Sequence, residues 1–162
     1  MATRTPSSSL QRDAAELYAA ATAFIRFYQF RDRDQAVRAG LTVVQAYALD
    51  ILLSRDGQRL SELAKALQLD KSTTSRIVAG MKRRGLVAWS RPEHDRRGMW
   101  IVASADGKRR YERLRRALVR ENARLLASYT PAARRGAIRI LRDLVARAEG
   151  GRGGRPARPV RE

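Results

Sequence analysis

Residues 60–107 constrain the fold of this chain more than any other segment, because they begin with two short amphipathic patterns placed back to back. Within each pattern the apolar residues recur three and four positions apart, so a helix can bury one face and leave the other polar. These residues are Leu60, Leu63, Ala64 and Leu67 in the first pattern, and Ile77, Val78 and Met81 in the second. Two helices joined by so short a break as residues 68–70 suggest a helix-turn-helix.

The ends of these two helices also carry suitable residues. Ser61 and Asp70 are predicted N-caps, because their side-chain oxygens can accept the free N–H groups of a first turn. Gly85 follows the last periodic residue and is predicted to close the second helix in the left-handed conformation. Gly80 lies inside that helix, where glycine costs about 1 kcal/mol of stability relative to alanine. We interpret Gly80 as a position that is not optimised for stability.

The outer face of the second helix, predicted over residues 71–84, places small hydroxyl groups before arginines. Such a face suits the major groove of DNA, where Ser and Thr contact base edges and Arg binds guanine or phosphate. An ordinary solvated helix face fits this segment equally well when the helix is considered alone. The candidate DNA-binding residues on this helix are Lys71, Ser72, Thr73, Ser75, Arg76 and Arg83.

Two strand-like segments follow, at residues 86–91 and 99–103, and both are rich in Val, Trp and Ile. The polar segment between them runs from Pro92 to Gly98, which predicts a β-hairpin with a basic tip. A basic hairpin directly after a helix-turn-helix is typical of a wing. Its arginines are predicted to enter the adjacent minor groove, where negative potential favours arginine.

Six motifs occur along the chain in a fixed order. They are residues 40–45 (GLTVVQ), 60–64 (LSELA), 70–76 (DKSTTSR), 82–87 (KRRGLV), 95–98 (DRRG) and 104–107 (SADG). In this order they resemble the multiple antibiotic resistance regulator (MarR) family, over most of the chain. The resemblance implies a winged-helix homodimer whose recognition helix enters the major groove. Gly80, where the family often has a charged residue, and Ala103, where it usually has leucine, depart from the family pattern.

The same resemblance assigns roles in the wing. It implies that Asp95 orients the wing and that Arg97 inserts into the minor groove. His94 and Arg96 complete the wing residues predicted to bind DNA. It also implies a small, often aromatic effector between the dimerisation helices and the DNA-binding part. Conceivable lining residues are Tyr18, Tyr28, Tyr47 and Trp100, although aromatic residues at helical spacing more often belong to a plain core.

Charge and composition limit the functional classes that fit. A formal net charge of +18, from 34 Lys and Arg against 16 Asp and Glu, indicates a polyanionic partner. The chain has no Cys, and its single histidine argues against a His/Cys metal sensor and His-based catalysis. We find no paired carboxylates, no nucleophile with a neighbouring base and no phosphate-binding loop. We therefore expect no catalytic residues, no metal, no cofactor and no enzymatic activity.

Apolar stripes in both terminal parts predict dimerisation helices. The N-terminal stripe consists of Leu10, Ala14, Leu17, Ala21, Phe24 and Tyr28. Ser104 and Thr130 are predicted to cap two C-terminal helices with similar stripes. We infer that the two ends of the chain pack together in an intertwined homodimer; a monomeric three-helix packing is the alternative. Between these ends, Thr42 and Gln45 predict a capping box for a further helix, and Gly57 predicts a turn.

The expected fold class is therefore mainly α, a winged helix-turn-helix with a small β-hairpin wing plus long N- and C-terminal dimerisation helices. Residues 1–40 are predicted to form the N-terminal dimerisation helix after a disordered start, and residues 41–103 the DNA-binding domain. Residues 104–149 are predicted to form the C-terminal dimerisation helices. Residues 150–162, rich in Gly, Arg and Pro, are predicted to be a disordered tail.

The expected function is sequence-specific binding of double-stranded DNA by a homodimeric transcriptional repressor, on a palindromic operator and with release by a small effector. One alternative is an architectural protein that coats DNA without reading sequence, and another is a protein-interaction module on the same fold. No apolar run approaches the roughly 20 residues of a membrane span, and the first ten residues lack a signal-peptide core. We therefore expect a cytoplasmic, nucleoid-associated protein without a membrane partner.

Overall fold

Six helices and three short strands make up the described residues, 7–90 and 100–152 of a computed structural model. Their order is α1 (Ser8–Arg38), α2 (Val43–Ser54), β1 (Gln58–Arg59), α3 (Leu60–Leu67), α4 (Lys71–Arg83), β2 (Val87–Ser90), β3 (Trp100–Ala103), α5 (Ala105–Leu126) and α6 (Pro131–Arg152). The predicted mainly α winged-helix fold is confirmed. Two compact units divide within α5, between Leu118 and Val119.

Local hydrogen bonds define both ends of α1. Ser7 caps its start, while residues 1–6 of the predicted disordered start lie outside the described residues. At the other end Gly40 has a φ of +72°, and the N–H of Leu41 donates to the Ala36 carbonyl oxygen at 2.8 Å. This Schellman closure confirms the prediction that the first helical segment ends at Gly40.

The capping box predicted for α2 is also confirmed. Thr42 Oγ1 accepts the N–H of Gln45 at 3.3 Å, and Gln45 Oε1 accepts the N–H of Thr42 at 3.1 Å. After the helix, Asp56 and Gly57 adopt φ angles of +54° and +98°. The predicted turn at Gly57 is therefore present, and it leads into β1.

The predicted N-cap at Ser61 is wrong. The N-cap is Arg59, two residues earlier, so α3 begins at Leu60, and the N–H of Arg59 donates to Glu62 Oε2 at 3.4 Å. The cause is β1, which was not predicted: Gln58 pairs with Ile101 and Arg59 with Trp100. Because the strand runs directly into the helix, Ser61 falls inside the first turn.

The wing is a three-stranded antiparallel sheet in the order β1-β3-β2. Its β2–β3 pairing runs from Val87 opposite Ala103 to Ser90 opposite Trp100. The two predicted strands are confirmed over Val87–Ser90 and Trp100–Ala103. The hairpin tip, residues 91–99, lies outside the described residues.

The core of the winged-helix part is formed by residues from nearly every element. Its fully buried side chains include Leu49, Leu52, Leu63, Met81, Leu86 and Ile101. Helix α5 approaches this core most closely at Gly107, where an added Cβ would lie 2.1 Å from the Leu86 carbonyl oxygen. Tyr111, Leu114 and Leu118 continue the inner face of α5 toward α2. The close approach requires glycine at position 107.

The predicted caps of the last two helices are confirmed. Ser104 Oγ accepts the N–H of Gly107 at 3.0 Å, and Thr130 Oγ1 accepts the N–H of Ala133 at 3.2 Å. Helix α6 continues to Arg152, so residues 150–152 are helical although they were assigned to the predicted tail. Residues 153–162 lie outside the described residues.

Both ends of α4, the recognition-helix candidate, have the capping residues that the sequence predicts. Asp70 is its N-cap, as predicted. Gly85 has a φ of +68°, and the N–H of Leu86 donates to the Met81 carbonyl oxygen at 2.9 Å. The predicted closure at Gly85 is therefore confirmed as a second Schellman motif.

Gly80→Ala is expected to stabilise the protein by about 1 kcal/mol, because alanine restricts the unfolded chain and favours the helix. An added Cβ at Gly80 would have Arg83 Nη2 as its nearest neighbour, at 3.8 Å, which is ordinary contact with a flexible group. Urea unfolding of both proteins measures the difference. A loss of stability would mean that the backbone at Gly80 makes a close contact in the folded protein, which leaves no room for a Cβ.

Candidate nucleic-acid interface

One face of α4 brings the six predicted major-groove residues together. Thr74, Val78 and Met81 point into the core, which leaves the opposite face in solvent. Five of the six residues are exposed and Thr73 is half-buried. The exposed residues on this face are Lys71, Ser72, Ser75, Arg76 and Arg83.

A hydrogen-bond network around Asp70 fixes the start of this face. Asp70 Oδ1 accepts the Ser72 hydroxyl at 2.5 Å and the N–H of Thr73 at 2.7 Å. These bonds, with the Ser72 hydroxyl as the largest contribution, hold the pKa of the exposed Asp70 carboxyl well below its usual range. The buried Thr74 hydroxyl donates to the Asp70 carbonyl oxygen at 2.9 Å. The first turn of α4 is therefore held by both the side chain and the backbone of one residue.

Arg76 leans back toward the start of the helix, since its Nη2 donates to Thr73 Oγ1 at 3.3 Å. This bond orients the guanidinium over the outer face and leaves its other N–H groups available for a guanine edge or a phosphate. The arrangement suits base recognition better than an extended, freely moving arginine would, because less side-chain entropy is lost on binding.

The wing residues predicted to bind DNA, His94, Asp95, Arg96 and Arg97, lie outside the described residues. The base of the wing is described, and it contacts α4. Lys82 Nζ lies 5.9 Å from the centre of the Trp89 ring on β2, a cation–π distance. This contact was not predicted, although a basic residue seven positions before a tryptophan was visible in the sequence.

A second unpredicted contact, here called the Arg84 clamp, joins Arg84 to Gly40 and Gln45. Arg84 follows α4, and its guanidinium donates to the Gly40 carbonyl oxygen at 2.5 Å and to Gln45 Oε1 at 2.9 Å. Arg110 of α5 also lies close to Gly40, where an added Cβ would lie 2.6 Å from its Nη1. The end of α4 is thus tied to the junction between α1 and α2.

Comparison with known proteins agrees with this geometry. A model of the MarR family matches residues 39–98, which include the helix-turn-helix, β1 and β2. A MarR family protein from Bacillus stearothermophilus superposes with a TM-score of 0.78 and 29% identity, over 84% of this chain and 95% of that chain. Residues 39–98 of the chain thus match the MarR family, and the fold is similar to that of a MarR family protein over most of the chain. No match was found among curated protein sequences.

Two further solved structures of this fold resemble the chain. A MarR family transcriptional regulator from Silicibacter pomeroyi has a TM-score of 0.64 and 25% identity, over 82% of this chain and 93% of that chain. An S. aureus MepR mutant bound to an oligodeoxyribonucleotide has a TM-score of 0.57 and 18% identity, over 80% of this chain and 96% of that chain. The second likeness shows the fold alone. The fold of this chain is therefore that of MarR family transcription regulators.

A small cavity lies between α1, α2 and α5. Its volume is about 110 Å³ and its lining includes Asp32, Tyr47, Asp50 and Tyr111. The Tyr111 hydroxyl donates a short hydrogen bond to Asp50 Oδ1. Burial, and then this bond to the carboxylate, raise the pKa of Tyr111 above its usual value. The cavity thus has apolar walls and one polar pair.

The four aromatic residues predicted to line an effector site occupy different places. Tyr47 lines the cavity. Tyr18 is 75% exposed on α1, and the ring of Tyr28 packs 4.1 Å from that of Phe24 on the same helix. Trp100 is half-buried at the base of the wing. The structure therefore does not gather these four residues around one space.

Within residues 7–90 and 100–152, no group of three or more His, Cys, Asp or Glu side chains is arranged to hold a metal ion. Among the same residues, no single helix is both long and apolar enough to cross a membrane; only α1 and α2 taken together pass by length and composition, and they are bent by 81° at their junction.

Proposed function

We propose that this chain is a sequence-specific repressor of transcription that binds a palindromic double-stranded DNA operator as a homodimer. The observation that carries the proposal is the outer face of α4. There, hydroxyl and arginine side chains are exposed opposite the buried face of a helix that is capped at its start. This is the side-chain chemistry of major-groove recognition. The oligodeoxyribonucleotide bound to the MepR mutant supports DNA as the partner of this fold.

Exposed apolar side chains on α1 support the homodimer. These side chains are exposed within the described residues, 7–90 and 100–152. Apolar residues exposed along a whole helix mark an interaction surface. They are Leu10, Leu17, Tyr18, Phe24, Ile25, Phe27 and Phe30. Helix α6, considered by itself, exposes a comparable set: Ile138, Ile140, Leu141, Leu144 and Val145. A symmetric dimer would place two recognition helices about 34–36 Å apart, one turn of DNA.

An effector remains part of the proposal in a restricted form. The cavity of about 110 Å³ is below the roughly 300 Å³ typical of drug-sized ligand sites, so a phenolic effector would have to enlarge it. Tyr47 and the Asp50–Tyr111 pair are the residues that such a ligand would meet first. Thermal-shift measurements with phenolic compounds test this, since a ligand that binds the folded state raises the unfolding temperature.

The test of the proposed function is binding to duplexes from the upstream region of the protein's own gene, compared with scrambled duplexes at two salt concentrations. A specific repressor is expected to prefer its operator by about a thousandfold or more, and to keep that preference as salt rises. Equal binding to both duplexes that collapses with salt would mean counterion release alone. The charge of +18 would then make this an architectural DNA-binding protein.

Arg76→Ala is expected to weaken operator binding by about 1–3 kcal/mol and to relax discrimination at one position of each half-site. The reason is that the bond to Thr73 orients the guanidinium over the outer face of α4. Affinity for an operator series with single base-pair changes measures both effects. An unchanged preference at every position, with weaker binding overall, would show that Arg76 contacts phosphate instead.

A further inference from the structure

The Ser72 hydroxyl is exposed at the second residue of α4, in the turn of a recognition helix that meets base edges. A serine hydroxyl has one hydrogen and two lone pairs, so in general it can donate or accept. In Ser72 the hydrogen is already used, because Oγ donates to Asp70 Oδ1 at 2.5 Å.

The direction of this bond cannot reverse, because an ionised carboxylate only accepts hydrogen bonds. Asp70 stays ionised, since its hydrogen bonds hold the pKa of the carboxyl well below the usual range. The N–H of Thr73 donates to the same oxygen at 2.7 Å, and a donor of this kind cannot accept the Ser72 hydrogen instead. A bond to an ionised acceptor is roughly twice as strong as one between neutral groups. Ser72 therefore presents lone pairs, and no hydrogen, to an approaching duplex.

DNA offers few partners to such a group. Phosphate oxygens, guanine O6 and N7, and thymine O4 are all acceptors, while adenine N6 and cytosine N4 are the donors in the major groove. We propose that Ser72 accepts a hydrogen bond from the exocyclic amino group of adenine or cytosine, and so selects these two bases against guanine and thymine at one position of each half-site. This inference rests on the proposed function.

The proposed contact has an unusual signature in an operator series. Arginine selects guanine, and asparagine or glutamine selects adenine, through two bonds to one base. A single acceptor distinguishes only amino bases from keto bases on the strand that it contacts. Exchange of adenine and cytosine should therefore be tolerated at this position, whereas adenine to guanine and cytosine to thymine should not.

The test is a series of operators with every base substituted singly, measured with the full-length wild-type protein, Ser72→Ala and Asp70→Asn. For wild type, a keto base at the one sensitive position should lower the affinity about tenfold, and exchange of adenine and cytosine should change it about twofold or less. Ser72→Ala should make all four bases nearly equal there and leave other positions unchanged. Ser61→Ala, an exposed serine on α3, is the matched control and should leave the whole series unchanged.

Asp70→Asn tests the direction of the bond. Asparagine caps helices about as well as aspartate, but its amide can donate to Ser72 and release the hydroxyl hydrogen. Guanine and thymine should then become acceptable at the same position. Thermal unfolding of each variant confirms that it is folded under the binding conditions.

Three outcomes would overturn the inference. These outcomes are that Ser72→Ala flattens no position, that it flattens a position at which wild type prefers guanine or thymine, or that it weakens binding to all sequences alike, as the loss of a contact to phosphate would. A wild-type protein that binds every duplex equally would refute the proposed repressor itself. The two failures are therefore distinguishable.

Discussion

Leu17→Glu is expected to convert the protein to a monomer and to lower its affinity for the operator by about 10²- to 10⁴-fold. Leu17 is 51% exposed on α1, in the row of apolar residues proposed to meet a second copy. A carboxylate there would lose its hydration in the interface without a partner. Each monomer would then bind one half-site independently, and the affinity gained when two linked monomers bind both half-sites would be lost. Sedimentation equilibrium and operator titration measure the two effects.

Gln11→Glu is the matched control for this substitution. It adds the same charge to the same exposed helix, close to the N-terminus, where the helix dipole favours a negative side chain. It should remain dimeric with operator affinity near that of wild type. A dimeric Leu17→Glu protein that binds DNA normally would place the self-association surface elsewhere.

Gly107→Ala is expected to lower the free energy of unfolding by about 3 kcal/mol, at the upper end of the usual cost of overpacking. The added Cβ would lie 2.1 Å from the Leu86 carbonyl oxygen and 3.0 Å from Leu49 Cδ2. The Leu86 oxygen cannot simply move away, because it accepts the N–H of Ser104 at 3.0 Å. The start of α5 would have to shift away from the core. Urea unfolding measures the loss.

Gly80→Ala serves as the control with the opposite expected sign. Both substitutions replace a helical glycine and carry the same propensity gain of about 1 kcal/mol, but only Gly107 faces backbone at close range. Equal stability changes in the two variants would show that the contact at Leu86 relaxes without cost. The DNA affinity of folded Gly107→Ala protein should change little, since Gly107 lies on the buried face of α5.

The features that could be predicted from the sequence are those with local causes. Asp70, Thr42 and Gln45 act on N–H groups within three residues, so their types and spacing are sufficient. Gly40 and Gly85 close helices through bonds of similarly short range. The outer face of α4 follows from helical periodicity for the same reason. Helix ends and the candidate DNA-binding face can therefore be predicted from the sequence.

Features that depend on distant partners could not be predicted. The strand β1 exists because Gln58 and Arg59 pair with β3, and two residues are too few to show an alternating pattern. That pairing moved the start of α3 and made the prediction at Ser61 wrong. Gly107 looks like any glycine until the approach of Leu86 is known. Tyr47 reaches the cavity only because α1 and α5 pack beside α2.

The Arg84 clamp, which directly follows α4, limits how much of this segment can be exchanged. The outer face can be randomised to select new operators, because its side chains point away from the core. Arg84 and Gln45 are 39 positions apart in the chain but form one bond. A recognition helix transplanted from a relative should therefore stop before Arg84, or bring the relative's residues at both positions. Libraries designed within this limit would vary the DNA sequence that is recognised without loosening the scaffold that presents the helix.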